Sequence, residues 1–340
     1  MLSIEKELKQ SNTLLSQSQA TVKAAITAIE SETASLSEKI EMLLAIATDL
    51  QQKPKSSQQL EAAIALYDKA IELASQSYPL FQARALAGKG TALRTIPSES
   101  AELLLSAKQA YELALPILQE LASPKEVAEV EMNLGLVLQA LVPFQQARME
   151  DAIQAYKRSL KVFNGLTHPQ EYAILQNNIA IAYLSLSLAP EKAEMSQALA
   201  VQSLKEALQW ISLKTHPQEY AMLQNNLANA LQYIPSTHPL ENNLKALAAY
   251  DEALKVRTLQ ASPLEYASTI ANKANLLYNL PDDLNRPEIG NHQNLLQAKT
   301  YYQEAFNIFS QYGELARREV VTAALVEVER ELEAWGDGSK

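Results

Sequence analysis

The stretch THPQEYAILQNN, Thr167–Asn178, returns 48 residues later as THPQEYAMLQNN, Thr215–Asn226, with only Ile174 changed to Met222. A duplication that holds His, Glu, Tyr and Asn is either a doubled active site or a doubled piece of architecture. The period decides, because a unit of roughly 20–50 residues recurring along a chain marks a repeat array. Weaker copies are SYPLFQARALAGKG from Ser77, SPKEVAEVEMNLG from Ser123 and SPLEYASTIANKA from Ser262. Their prolines, Pro79, Pro124, Pro169, Pro217 and Pro263, stand 45, 45, 48 and 46 residues apart. Nine residues past each comes Gly88, Asn133, Asn178, Asn226 or Asn272. Eleven past it comes a small residue, Gly90, Gly135, Ala180, Ala228 or Ala274. This predicts one helix built five times, with a position where a neighbour approaches too closely for a large side chain.

A second pattern interleaves with the first. It reads A-x-x-x-Y-x-x-A-L, with Ala–Tyr pairs at Ala63–Tyr67, Ala107–Tyr111, Ala152–Tyr156, Ala246–Tyr250 and Ala298–Tyr302, and Ala200–Leu204 in the remaining slot. Three residues past each large side chain sits Ala70, Ala114, Ser159, Ala207, Ala253 or Ala305. Positions i, i+4 and i+7 share a helical face, so small–large–small lets neighbouring helices close in around a wedged ring.

Composition agrees with helices throughout: 8 Gly in 340 residues, 47% apolar, and no alternating β-branched runs. Lys plus Arg number 29 and Asp plus Glu 39, a net charge of −10. That balance is a poor match for nucleic acid or an anionic membrane surface. Without cysteine there are no disulfides and no thiolate metal sites. The N-terminus does not read as a signal peptide and no 18-residue apolar segment suggests a membrane span, so a soluble cytoplasmic protein is expected.

Two helices per period, with a small residue on the first and Ala/aromatic/Ala on the second, resemble the tetratricopeptide repeat. The longer period and the H-P-x-x-x-A-x-x-x-N-N-L-A form of the first helix resemble the repeats of kinesin light chains and tandem repeats common in cyanobacterial proteins. The resemblance covers residues 36–312 and implies an all-α, right-handed α-solenoid of six helix-turn-helix repeats (36–77, 78–122, 123–166, 167–214, 215–261 and 262–312). The first helix of the first repeat, about Leu36 to Gln51, lacks the proline and the Asn. Surplus residues are expected in longer helices and in loops such as LSLAPEKAEMS and PDDLNRPEIGNH. Residues 1–35 read as an N-terminal capping helix, with Leu8, Leu15, Val22, Ile26 and Ile29 on its apolar side; a coiled coil is the other reading. Residues 313–335 read as a C-terminal capping helix with a charged outer face, and 336–340 as a tail.

No catalytic or metal-binding constellation stands out, and no cofactor is expected. His168 and His216 precede prolines where sister repeats have Ser123 and Ser262, a slot in which cap residue, Pro and a Glu three residues on make a capping box. Glu171 and Glu219 are expected to complete it. His238 and His292 read as loop residues. AGKGTAL, residues 87–93, brushes a phosphate-loop motif, but Gly90 falls on the small packing position of a helix. The acid pairs Asp282–Asp283 and Glu329–Glu331 read as solvated faces or loop ends.

The asparagines are the better candidates. The resemblance implies that Asn133, Asn178, Asn226 and Asn272, with Asn229 and Asn275 three residues on from two of them, line a concave groove. Asn carries a donor and an acceptor in one rigid head and suits the N–H and C=O of an extended peptide. It is also a poor helix former, so several at one helix position call for a reason. Bonding to one another across repeats is the alternative, and both roles are open. Arg84 and Arg94 read as a pair able to hold a carboxylate, and Tyr233 and Tyr278 as a grip for apolar side chains. Tyr172, Tyr220 and Tyr266 are expected to pack between repeats. Asn and Gln stand where the family's carboxylate clamp has most of its cations, which argues against an EEVD-type tail. The function expected is a non-enzymatic scaffold or adaptor, in an assembly or accessory role, holding an extended or helical segment of a partner protein. Replacing Asn178 and Asn226 together would then weaken binding without unfolding. The alternative is a peptide- or small-molecule-sensing regulator that changes the solenoid's conformation.

Overall fold

Each proline of the repeat opens a helix. The computed structural model describes residues 22–29, 31–75, 77–186, 190–234, 239–283 and 286–336. Among them the helices are α1 (Leu36–Gln52), α2 (Ser57–Ala74), α3 (Pro79–Thr95), α4 (Glu102–Leu121), α5 (Pro124–Leu141), α6 (Met149–Ser159), α7 (Pro169–Leu184), α8 (Pro190–Ala207), α9 (Pro217–Tyr233), α10 (Pro239–Leu254), α11 (Pro263–Tyr278), α12 (His292–Gln311) and α13 (Leu315–Gly336). Residues 22–29 are also helical. The chain divides into two compact units, Met1–Phe163 and Asn164–Lys340. Within each, every helix packs on the next, and each proline-led helix also touches the proline-led helix after it. In the first unit α1 takes the same place, and in the second α13 does. This is the packing of an α-solenoid, in which a helix pair buries its apolar face only against its neighbours.

The Ala/aromatic/Ala faces form the interior. All eighteen side chains of that pattern are buried, none more than 4% exposed. The small position on the first helix of a pair receives the ring: a Cβ on Gly135 would stand 2.4 Å from Tyr156, and one on Gly90 2.9 Å from Tyr111. Such distances lie inside van der Waals contact, so these glycines are fixed by the rings that replace their side chains. Gly88, at the Asn position, meets Tyr67 at 2.4 Å in the same way. Lys89 between them pairs with Asp68 at 2.6 Å, so AGKGTAL is packing.

The expected capping boxes form once. Ser123 Oγ accepts from the Glu126 N–H and the Glu126 carboxylate reaches back to the Ser123 N–H. At His168, His216 and Ser262 the residue is the N-cap but its side chain makes no cap bond. There the N-cap N–H is already taken by the carbonyl four residues before, Asn164, Ser212 or Thr258, at 2.9–3.0 Å. Tyr78 makes the same bond to Ala74. With that N–H satisfied, a carboxylate three residues on has nothing to accept, and Glu219 instead accepts from Gln170 of α7 at 2.6 Å.

Other expectations are corrected by local packing. Residues 190–196 of LSLAPEKAEMS belong to α8, because Pro190 begins a helix rather than ending a loop. In PDDLNRPEIGNH, residues 284–285 lie outside the described residues, and Pro287–Ile289 form a short 3₁₀ turn. His292 is not in a loop: it begins α12 and its ring lies 5.5 Å from that of Trp335. His238 lies outside the described residues. Asp282 accepts the N–H groups of Gln293 and Asn294, both at 2.8 Å, and so caps α12 from eleven residues away. Asp283 pairs with Arg286, and Glu329 with Lys299.

One stretch, Pro124–Phe144, is apolar and long enough to cross a membrane, contrary to the sequence expectation. Ala128, Val130, Leu134, Val137, Leu138 and Leu141 are buried in the first unit. The same helix holds Glu131, 3% exposed, in a two-bond pair with Arg158 at 2.7 and 2.8 Å. Near the N-terminus, Val22, Ala25, Ile26 and Ile29 pack on the core of α1–α3, while Leu8 and Leu15 lie outside the described residues. The outer face of α13 is not wholly charged: Leu315, Val320 and Val326 are exposed, Val320 by 71%.

Candidate ligand groove

In the second unit a groove of about 750 Å³ crosses the proline-led helices. Its floor is Asn229, Gln232 and Tyr233 from α9 with Ala271, Asn272 and Asn275 from α11. Leu184 of α7 and Gln197 of α8 close one end; Tyr302 of α12 and Val320, Val321 and Ala324 of α13 close the other. A side pocket of about 160 Å³ shares Asn275, Tyr302 and Ala324 with it and adds Tyr278, Glu327 and Val328. Among the described residues none that lines the main groove is charged, and Glu327 is the one charge of the side pocket.

The structure thus brings together Asn229, Asn272, Asn275 and Tyr233, with Tyr278 in the side pocket. It does not bring in the rest. Asn226 donates to Asn177 of α7 at 2.7 Å and accepts from Asn225 at 3.0 Å, so its amide ties two proline-led helices together. Asn178 Nδ2 is buried without a partner among the described residues and does not line the groove. Asn133 is half-buried on α5, in the first unit. Arg84 and Arg94 do not form a pair. Ten residues apart on α3, they stand about 15 Å apart along its axis. Arg84 is held by Glu126 through bonds of 2.8 and 3.1 Å, which raise its pKa and lower that of the carboxylate. Arg94 lies beside the hydroxyls of Tyr111 and Tyr156, where its charge opposes the rise that burial imposes on both phenols.

The wedge tyrosines give the groove its chemistry. Four of them satisfy their hydroxyl on the first helix of their own pair: Tyr67 on Thr48 and Gln51, Tyr111 on Thr91, Tyr156 on Gln139, and Tyr250 on Asn229. The Tyr250–Asn229 bond is 2.5 Å long. In the last pair the residue equivalent to Asn229 is Asn275, and it turns elsewhere, donating to the Tyr233 hydroxyl at 3.1 Å. Tyr302, 4% exposed, is left with no hydrogen-bond partner among the described residues and lines both the groove and the side pocket. Burial raises its pKa, as it does for Tyr250.

Tyr220 and Tyr266 pack against the cores of the second unit and bridge the two helices of their own pair through their hydroxyls. Each donates its hydroxyl at 3.0 Å, to Glu252 and Glu304 respectively. Burial, with the adjoining carboxylate adding to it, pushes Tyr266 up to about 12. Tyr172 accepts from Gln176 one turn on, at 2.9 Å.

Sequence reasoning missed Gln232, Tyr302, Glu327 and the α13 wall. Gln232 is one turn past Asn229 and was findable by the same spacing. Tyr302 was legible only as a packing residue, since nothing in its own repeat says that its hydroxyl lacks a partner. The α13 wall comes from a helix outside the repeat pattern.

No family model and no curated protein matches the sequence. Among solved structures, the crystal structure of BtubC (BKLC) from P. vanneervenii is similar at a TM-score of 0.50 and 20% identity, over 74% of this chain and 92% of that one. The TPR2AB-domain:pHSP90 complex of yeast Sti1 aligns at a TM-score of 0.30 and 16% identity, over 86% of this chain and 99% of that one. The fold is that of a tetratricopeptide-like repeat protein, an all-helical α-solenoid.

Proposed function

We propose that the chain is a non-catalytic cytoplasmic scaffold or adaptor that holds an extended segment of a partner protein in the groove of its second unit. One observation carries this reading: side-chain amides from successive proline-led helices converge on a groove of about 750 Å³ that has no charged lining residue among those described. That volume falls in the range of roughly 300–1,000 Å³ typical of ligand sites. Amides offer donors and acceptors matched to a peptide backbone whatever its side chains. On this reading residues 36–312 form six repeats with the boundaries given above, 1–35 and 313–335 are caps, and Asn226 serves the stack while Asn272 and Asn275 serve the ligand.

Placing a photo-reactive phenylalanine at Asn272, and separately at Asn133, tests it. Irradiation in extract of the native cell is expected to join a polypeptide to the Asn272 variant only. Equal labelling at both positions, or none at Asn272, would refute the groove as the binding site.

A further inference from the structure

We infer that the groove selects peptides by a pairing of one apolar side chain with a neighbouring Lys or Arg, and that the Tyr302 hydroxyl is the hydrogen bond reserved for that ligand. The inference rests on the groove reading above and adds the chemical class of the partner. Three features of the second unit lead to it.

The first is the unpartnered phenol. A hydroxyl without a partner in the protein is left to water or to a ligand, whereas the four sister tyrosines bond theirs to a side chain on their own first helix. Tyr302 makes no such bond: the equivalent Asn275 gives its Nδ2 to the Tyr233 hydroxyl, and its Oδ1 takes no proton from Tyr302. Tyr302 instead lines both cavities, where a backbone carbonyl of a bound peptide would accept from its hydroxyl.

The second is the wall. Val320, Val321 and Ala324 of α13 present an apolar surface at the end of the amide-lined groove, and Val320 is largely exposed. An aliphatic side chain of the ligand laid on it would remove both surfaces from water.

The third is the charge. Among the described residues the side pocket is lined by one carboxylate, Glu327, with Tyr278 and Tyr302, and by no cation. Glu327 is engaged by Arg330, one turn away on the same helix, with both side chains at least half exposed. Exposed pairs of that kind contribute little and exchange readily. A ligand cation entering between Glu327 and the tyrosine faces gains the carboxylate and a cation–π contact together. An acidic ligand meets a carboxylate in the pocket and a chain of net charge −10 around it.

The test is selection of random dodecapeptides displayed on phage against the full chain, counter-selected against the Asn272→Arg variant, whose long cation fills the groove. The expected winners carry Lys or Arg within two residues of Leu, Ile, Val or Met and are depleted in Asp and Glu. A synthetic winner should bind Tyr302→Phe about fivefold more weakly, the loss of one hydrogen bond. The Lys→Gln analogue should lose less affinity against Glu327→Gln than against the parent chain, the cation–π share alone remaining. Acidic winners would overturn the inference while leaving the groove reading standing, and no winner sensitive to Asn272→Arg would overturn both. Tyr250→Phe separates packing from binding: it should lower the melting temperature and leave peptide affinity unchanged. Loss of affinity in Tyr250→Phe equal to that in Tyr302→Phe would overturn the special role of Tyr302.

Discussion

Tyr250 and Tyr302 occupy the same slot of successive helix pairs, and the same kind of packing surrounds both rings. Ala246 and Ala253 flank one, Ala298 and Ala305 the other, all fully buried. They differ in a single bond. Tyr250 donates its hydroxyl hydrogen to Asn229, whereas the equivalent Asn275 bonds to Tyr233 and makes no bond with Tyr302. The repeat fixes where a ring must go, and leaves open what its hydroxyl does. In one pair the hydroxyl closes the stack, and in the next it opens onto a cavity.

The comparison can be broken most forcefully at the rings. Tyr250→Ala and Tyr302→Ala should each destabilise the second unit by about 3–5 kcal/mol, as truncation of a fully buried aromatic does. Urea unfolding followed by circular dichroism measures this. A cost for Tyr302→Ala under about 1 kcal/mol would mean that its ring is not a wedge.

Alkali probes the same two phenols. Burial raises both above the usual value near 10, so the unfolded chain loses its protons first as pH climbs. Stability is flat below pH 10 for these groups. Above it, stability falls by about 1.4 kcal/mol per pH unit for each buried tyrosine. Changing either residue to Phe should lessen the slope by the same amount, since each phenol withholds one proton on folding. A slope unchanged in Tyr302→Phe would show that its phenol is not buried as Tyr250 is.

Hydroxyl removal is gentler. Tyr250→Phe leaves Asn229 Oδ1 without its donor and should cost about 1–1.5 kcal/mol, while Tyr302→Phe should be within about 0.5 kcal/mol of neutral. Equal costs would place an unseen internal partner on Tyr302. Smallest of all is the contrast at the helix starts. Ser123→Ala removes a formed cap and should cost about 1 kcal/mol, whereas Ser262→Ala should cost only a few tenths.

How much of this was legible in the sequence follows from what a repeat preserves. The ring and its two small neighbours recur in register because they meet at every helix pair, and Gly90 and Gly135 could be read as close contacts before any coordinates. The helix starts were legible in position but not in bonding, because a capping box and a backbone turn demand the same Pro at the next residue. Arg84 read as a ligand group because its captor, Glu126, lies 42 residues on, at a distance that no motif spans. Asn229, Tyr233, Asn272 and Asn275 were found as groove candidates, whereas the choice among the asparagines depends on which amide faces which, and equivalent positions carry no record of that.

The backbone bond that closes each turn before a proline has a consequence for handling the molecule. At residues 78, 168, 216 and 262 the main chain satisfies itself, and Tyr, His, His and Ser stand there in turn. The slot must start a helix, yet it asks for no cap bond from its side chain, so what stands there is set by its local neighbours: His168 Nδ1 meets Thr167 Oγ1 at 2.8 Å, and His216 Nδ1 is buried. In a chain without cysteine, a single Cys at 168 or 216 would therefore report, through its reactivity toward a thiol reagent, how far each helix start opens.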